Sequence, residues 1–166
     1  MSAFTESEKI DFEKEVIRCF DFLPGMERGK VRVSGGGDPR DSVLVVRFSG
    51  DDLRIDIGWK ENESALILTV CFDRDELARQ ERHVYFEPFV EFLSDGNENA
   101  IVPYITEGMG IRQIEAVMEQ RQSVFRDGLP PVIEKVGRKL QSHLIQLQTT
   151  SADQIRGYHR WMSSRR

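Results

Sequence analysis

The stretch VLVVRFSGDDLRIDIGWKENESALILTVCF, residues 43–72, decides the fold. Leu53, Ile55, Ile57 and Trp59 alternate with Asp52, Arg54, Asp56 and Gly58, the period-two pattern of a strand with one buried face. Ser49-Gly50-Asp51-Asp52 before it and Lys60-Glu61-Asn62-Glu63 after it are polar turn material. Turns this short join antiparallel neighbours, because a parallel crossover needs a dozen or more residues. Three consecutive antiparallel strands follow, with Leu53, Ile55, Ile57, Leu66, Leu68 and Val70 expected on the buried face.

Upstream, Thr5-Glu6-Ser7-Glu8 has capping-box spacing. Ile10, Val16, Ile17, Phe20 and Leu23 then predict one apolar face of a helix stopped by Pro24-Gly25. Lys30-Val31-Arg32-Val33 reads as a short strand near an edge, and 34–41 as a glycine-rich hairpin loop. A phosphate cradle would need a helix directly after that loop, and a β-rich run follows instead.

Downstream, the charged connector 73–82 leads through Val84-Tyr85-Phe86 to a short helix over 87–93, with Pro88 in its first turn. Asp95-Gly96-Asn97 ends it, and 100–104 is extended or irregular. Ile111, Ile114, Val117, Met118, Val124 and Phe125 predict one amphipathic helix, closed by Gly128. Val132, Ile133, Val136, Leu140, Leu144 and Leu147 predict a second, opened by Pro130-Pro131. Ser151-Ala152-Asp153-Gln154 caps a third that carries Ile155, Tyr158 and Trp161. The reading is one α+β domain over 1–166: an antiparallel meander of about 4 strands packed with an N-terminal helix and several C-terminal helices.

Composition narrows the function classes. The apolar runs reach about five residues, far short of the roughly 20 that span a bilayer, and the first residues lack the pattern of a secretory signal. Cys19 and Cys71 sit among apolar residues and read as two reduced thiols of a cytoplasmic protein. The net charge of −5 is uneven: residues 1–100 hold 22 acidic and 13 basic side chains, and residues 101–166 hold 6 acidic and 10 basic. An acidic front repels nucleic acid and attracts basic partners.

No motif dictates a reaction. His83, His143 and His159 lie outside any metal-ligand spacing, so no metal or cofactor is expected. No Gly-x-Ser-x-Gly elbow exists, and a Cys71 nucleophile needs His83 or His143 beside it in space. Arg156, Arg160, Arg165 and Arg166 around Tyr158 and Trp161 complement a helix C-terminus more simply than they bind nucleic acid.

The element order resembles that of small bacterial immunity proteins of polymorphic-toxin systems. The resemblance rests on Leu53 to Trp59 with Leu66 to Phe72, on Phe89, Phe92 and Leu93, and on Ile155, Tyr158 and Trp161. It implies a cytoplasmic, non-enzymatic protein that blocks one cognate toxin, and it carries over no site. A type III secretion chaperone is the alternative binder, although the chain after Leu93 is too helical for that pattern; an enzyme of unrecognised class is the alternative activity. The expected contact is the outward side of the second strand and its turns, with Asp51, Asp52, Asp56, Glu61 and Glu63 facing a basic toxin domain against a single Arg54.

Overall fold

The computed structural model describes residues 4–23, 27–28, 32–34 and 42–165, with 28, 32–34 and 61 described by backbone alone. Pro24-Gly25 and most of the glycine-rich loop lie outside those residues.

Helix α1 spans Glu6–Phe20 and opens on the expected capping box: Thr5 Oγ1 accepts from Glu8 N, and Glu8 Oε2 accepts from Thr5 N at 2.6 Å. It buries Phe12, Val16 and Phe20, one residue per turn, whereas Ile10 stays half exposed.

Two short strands, β1 (Glu27–Arg28) and β2 (Arg32–Ser34), pair with different parts of β3 (Val43–Ser49). Beyond β3 come β4 (Leu53–Lys60), β5 (Ala65–Phe72) and the short β6 (His83–Tyr85), every pair antiparallel. The β3–β4 turn closes with Gly50 N donating to Leu53 O at 2.8 Å, and a 3₁₀ turn over Glu61–Glu63 joins β4 to β5. All six residues expected on the inner face are buried, with Ile55, Ile57 and Val70 wholly removed from water.

The chain leaves β6 directly into α2 (Phe86–Leu93), and Asp95 and Gly96 reverse it through positive φ. After an irregular stretch come α3 (Ile111–Val124), α4 (Leu129–Gln148) and α5 (Ala152–Ser164). Among the described residues no strand follows α2, which departs from the chaperone pattern. Phe86, Phe89 and Val90 of α2, Val132, Ile133, Val136, Leu140 and Leu147 of α4, and Ile155 and Tyr158 of α5 share one core with the sheet and α1.

Helix α3 departs from its expected face. Ile111 is 77% exposed, and the side chains it buries are Val117 and Arg121. The helix meets the rest of the protein along its C-terminal half, where Phe125 lies 5.0 Å from the Trp59 ring.

At Gly137, α4 touches α1 so closely that a Cβ would sit 2.8 Å from the Cys19 carbonyl oxygen. Gly137→Ala gains about 1 kcal/mol of helix propensity but forces two backbones apart, which costs about 1–3 kcal/mol. We expect a net loss, read as a lower urea midpoint at unchanged m-value. A raised midpoint would show that the helices separate freely.

Candidate functional site

The carboxylates expected to form a binding surface are spread along β4 and the turns at its two ends. Asp51 and Asp52 are exposed at one end of β4, and Glu63 lies at the other end, held by Lys60 at 2.9 Å. Glu61 has its backbone in the same turn, and its side chain is outside the described residues. An eight-residue strand separates the two groups by about 25 Å.

Asp56, midway along β4, is neutralised. Register places it opposite Arg47, which donates from Nε at 2.8 Å and from Nη2 at 2.9 Å in a bidentate pair. The face therefore carries Arg47 as well as Arg54, which corrects the expectation of a single arginine there. Arg54 Nε is buried without a hydrogen-bond partner among the described residues.

Next to this pair, β5 and β6 bring Cys71 Sγ to 3.9 Å from His83 Nε2. Burial pushes the Cys71 thiol up and the His83 imidazole down from their ordinary values, and Arg54 adds to the effect on His83. Both groups are thereby held neutral, the opposite of the thiolate–imidazolium pair that makes a cysteine reactive. Cys19 is also a free thiol raised by burial.

The other histidines are held separately. His143 Nε2 lies 2.8 Å from Glu98, and His159 Nε2 lies 2.8 Å from the Glu81 carbonyl oxygen. No group of three His, Cys, Asp or Glu among the described residues is placed to hold a metal ion. Of the basic cluster on α5, Arg156 pairs with Glu81 and Asp153, and Arg165 lies 4.4 Å over the Trp161 ring.

The concave feature is elsewhere. A cleft of about 510 Å³ opens beside the outer end of β5. One wall is the strand itself, residues 65–68, and the opposite wall is the irregular segment 102–107. Arg121 of α3, Tyr85, and His159 and Met162 of α5 complete it. The cleft exists because β6 is short: it pairs only with Thr69, Val70 and Cys71 before the chain turns into α2, so on the side away from β4 residues 65–68 of β5 have no strand beside them among the described residues.

The opposite wall continues a strap, residues 98–104, pinned by side chains of α2, α3 and α4 and by Arg165 just past α5. Glu98 meets His143, and Lys139 Nζ donates to Asn99 O and to Glu87 Oε2, each at 2.8 Å. Glu87 Oε2 also accepts from Ile101 N at 3.1 Å, and Arg121 Nε donates to Pro103 O at 2.7 Å. The Tyr104 hydroxyl bonds Glu91 and receives Arg165 Nη1 at 2.8 Å. Burial and the Glu91 contact push Tyr104 up to about 12, so it stays a neutral phenol.

Arg121 is the unusual member. It is 8% exposed, and besides Pro103 O it reaches only the Met118 sulfur, from Nη1 at 3.7 Å. No carboxylate among the described residues lies within 4 Å of it. Burial accordingly pulls its pKa below the ordinary arginine value, and Glu63 partly offsets this. A desolvated guanidinium without a counter-ion, at the side of a cleft, can accept an anion from outside.

No family model matches the chain, and no curated protein or solved structure is significantly similar to it.

Proposed function

We propose that this protein acts by binding a protein partner rather than by catalysis, and that its role is that of an immunity protein neutralising a cognate toxin in the cytoplasm. The observation that carries the binding reading is the stretch of β5 that, on the side away from β4, has no neighbouring strand among the described residues and lies beside a preformed cleft. Open strand edges are templates for another chain, and adding a partner's strand to one is a recurring mode of recognition. The immunity role is supported by the element order and by the acidic net charge of −5, which suits a cationic toxin. Within the described residues no helix is long and apolar enough to cross a membrane.

The turn carboxylates take the part of electrostatic steering in this reading. Reversing Asp51, Asp52, Glu61 and Glu63 together to Lys should lower the association rate with the toxin and flatten its salt dependence. Asp56→Lys should instead lower stability, because it sets two cations against each other on paired strands. Unchanged association rates at two salt concentrations, with the fold intact, would remove the turns from the contact.

The test of the function is co-expression with a toxin candidate encoded beside this gene. Restored growth together with a stable complex is the expected result. Failure to neutralise it, with a turnover by the purified protein that Cys71→Ala abolishes, would move the protein to the enzymes.

A further inference from the structure

Two independent features meet in the cleft. The first is the direction of backbone groups along β5. Asp73 N donates to Asp52 O across β4, and Phe72 N donates to Arg82 O on the opposite side. Alternation then turns the N–H and C=O of Leu66, Leu68, Val70 and Phe72 away from β4. Val70 meets Val84 of β6, and Phe72 meets Arg82. Leu66 and Leu68 lie beyond β6, and among the described residues no hydrogen bond joins their backbone to the strap or to α2. The second feature is Arg121, an 8% exposed residue lining the cleft, whose hydrogen bonds among the described residues are from Nε to Pro103 O and from Nη1 to the Met118 sulfur.

We propose that the cleft receives an extended segment of the protein partner, which adds a short strand to β5 at Leu66 and Leu68 and sets a carboxylate on Arg121. This rests on the binding reading above and names the chemistry of its contact. Four residues of β5, about 13 Å, line the cleft. A carboxylate suits Arg121 better than a phosphate does. Glu63, Glu87 and Glu107 also line the cleft, and their repulsion grows with the charge of the guest, so a singly charged carboxylate meets less of it than a doubly charged phosphate.

The contact differs from the steering role of the turns. Asp51 and Asp52 act at long range on a basic partner as a whole, whereas Arg121 reads one acidic group at short range. A cationic toxin that presents one acidic residue within an extended segment satisfies both.

The probes are acetylated, amidated hexapeptides of alternating Val and Thr carrying one central Glu or Gln, and a third ending in a C-terminal carboxylate without Glu. Binding to the ¹⁵N-labelled full chain is followed by amide shifts and by hydrogen exchange at Leu66 and Leu68. The Glu peptide should slow exchange at both amides and bind on the order of 10-fold or more tightly than the Gln peptide. Preference for the third peptide instead would assign the carboxylate to a chain terminus, within the same proposal. Arg121→Lys, which keeps the charge but loses the planar fork, should narrow the Glu/Gln ratio severalfold without abolishing protection at Leu66 and Leu68. The wild-type comparison stands even if that variant fails to fold.

Equal binding of Glu and Gln peptides, or no protection at Leu66 and Leu68 at millimolar peptide, would overturn the proposal. So would tighter binding of inorganic phosphate than of the Glu peptide, or concentration-dependent dimerisation that protects the same amides without any peptide. If toxin neutralisation survives while the peptides do not bind, the cleft assignment fails and the immunity reading stands. If the Glu peptide binds selectively while neutralisation is absent, the immunity reading fails and the cleft assignment stands.

Discussion

Ile55→Ala should lower the unfolding free energy by about 3–5 kcal/mol, the upper part of the range for a buried aliphatic truncation. The position is the reason. Ile55 is wholly buried at the centre of β4, opposite Phe48 on β3 and Val70 on β5. Those neighbours belong to the core shared with α1, α2 and α4, so the vacated space is walled on the sheet side and the helix side alike. Strands hydrogen-bonded on both flanks cannot move inward to fill it, and the cavity remains. Arg54→Ala one residue earlier is the control, since its side chain points to the other face. A urea titration that gives Ile55→Ala less than about 0.5 kcal/mol would mean the inner face is not the one that carries stability.

That inner face was legible because strand alternation is a local signal, repeated at every second residue through β3, β4 and β5. The caps of α1 and α5 were legible for the same reason, as Thr5 with Glu8 and Ser151 with Gln154 lie within four residues of each other. Helix α3 shows the limit. Its existence follows from spacing, but its buried face depends on what it meets, and Arg121 goes inside because Pro103 O is there to receive it. Asp56 was misjudged although a signal existed: the tight turn after β3 fixes the register that sets Arg47 opposite it. The cleft itself was hidden. Its strap has no periodicity, and its ties run between residues as distant as Glu98 and His143 or Asn99 and Lys139. Only β6 left a trace, as the three apolar or aromatic residues Val84, Tyr85 and Phe86, too few to separate a strand from the start of α2.

Lys139→Met should cost about 3–5 kcal/mol at neutral pH, because it strands a buried carboxylate. Lys139 and Glu87 are each about one-tenth exposed and 2.8 Å apart. Glu87 Oε2 holds Lys139 and Ile101 N, while Oε1 is buried with no partner among the described residues. Burial outweighs these bonds and raises the Glu87 pKa above its ordinary value even with the lysine present. Removing Lys139 removes the largest opposing contribution, so the pKa rises further.

The pH dependence follows from that sign. A carboxyl whose folded pKa lies above its unfolded one binds more protons when folded, so rising pH favours the unfolded chain. For Lys139→Met the loss should therefore be small below about pH 4, where Glu87 is protonated in both states. It should grow as pH rises through the interval between the unfolded and the raised folded pKa, then level off. A depressed carboxylate would give the reverse slope. Glu87→Gln combined with Lys139→Met keeps an acceptor for Ile101 N and removes the charge, so much of the loss should return and the pH slope should vanish. The variant also reports on the cleft, because the same lysine holds Asn99 O. In Lys139→Met the Ile101 amide should exchange faster and Glu-peptide binding should weaken, since the strap loses its tie at Asn99 and its tie at Ile101 is left on a carboxylate without its counter-ion. Urea titrations at pH 4 and pH 7.5 decide it: a small loss equal at both values would show that Glu87 is solvated enough to need no counter-ion.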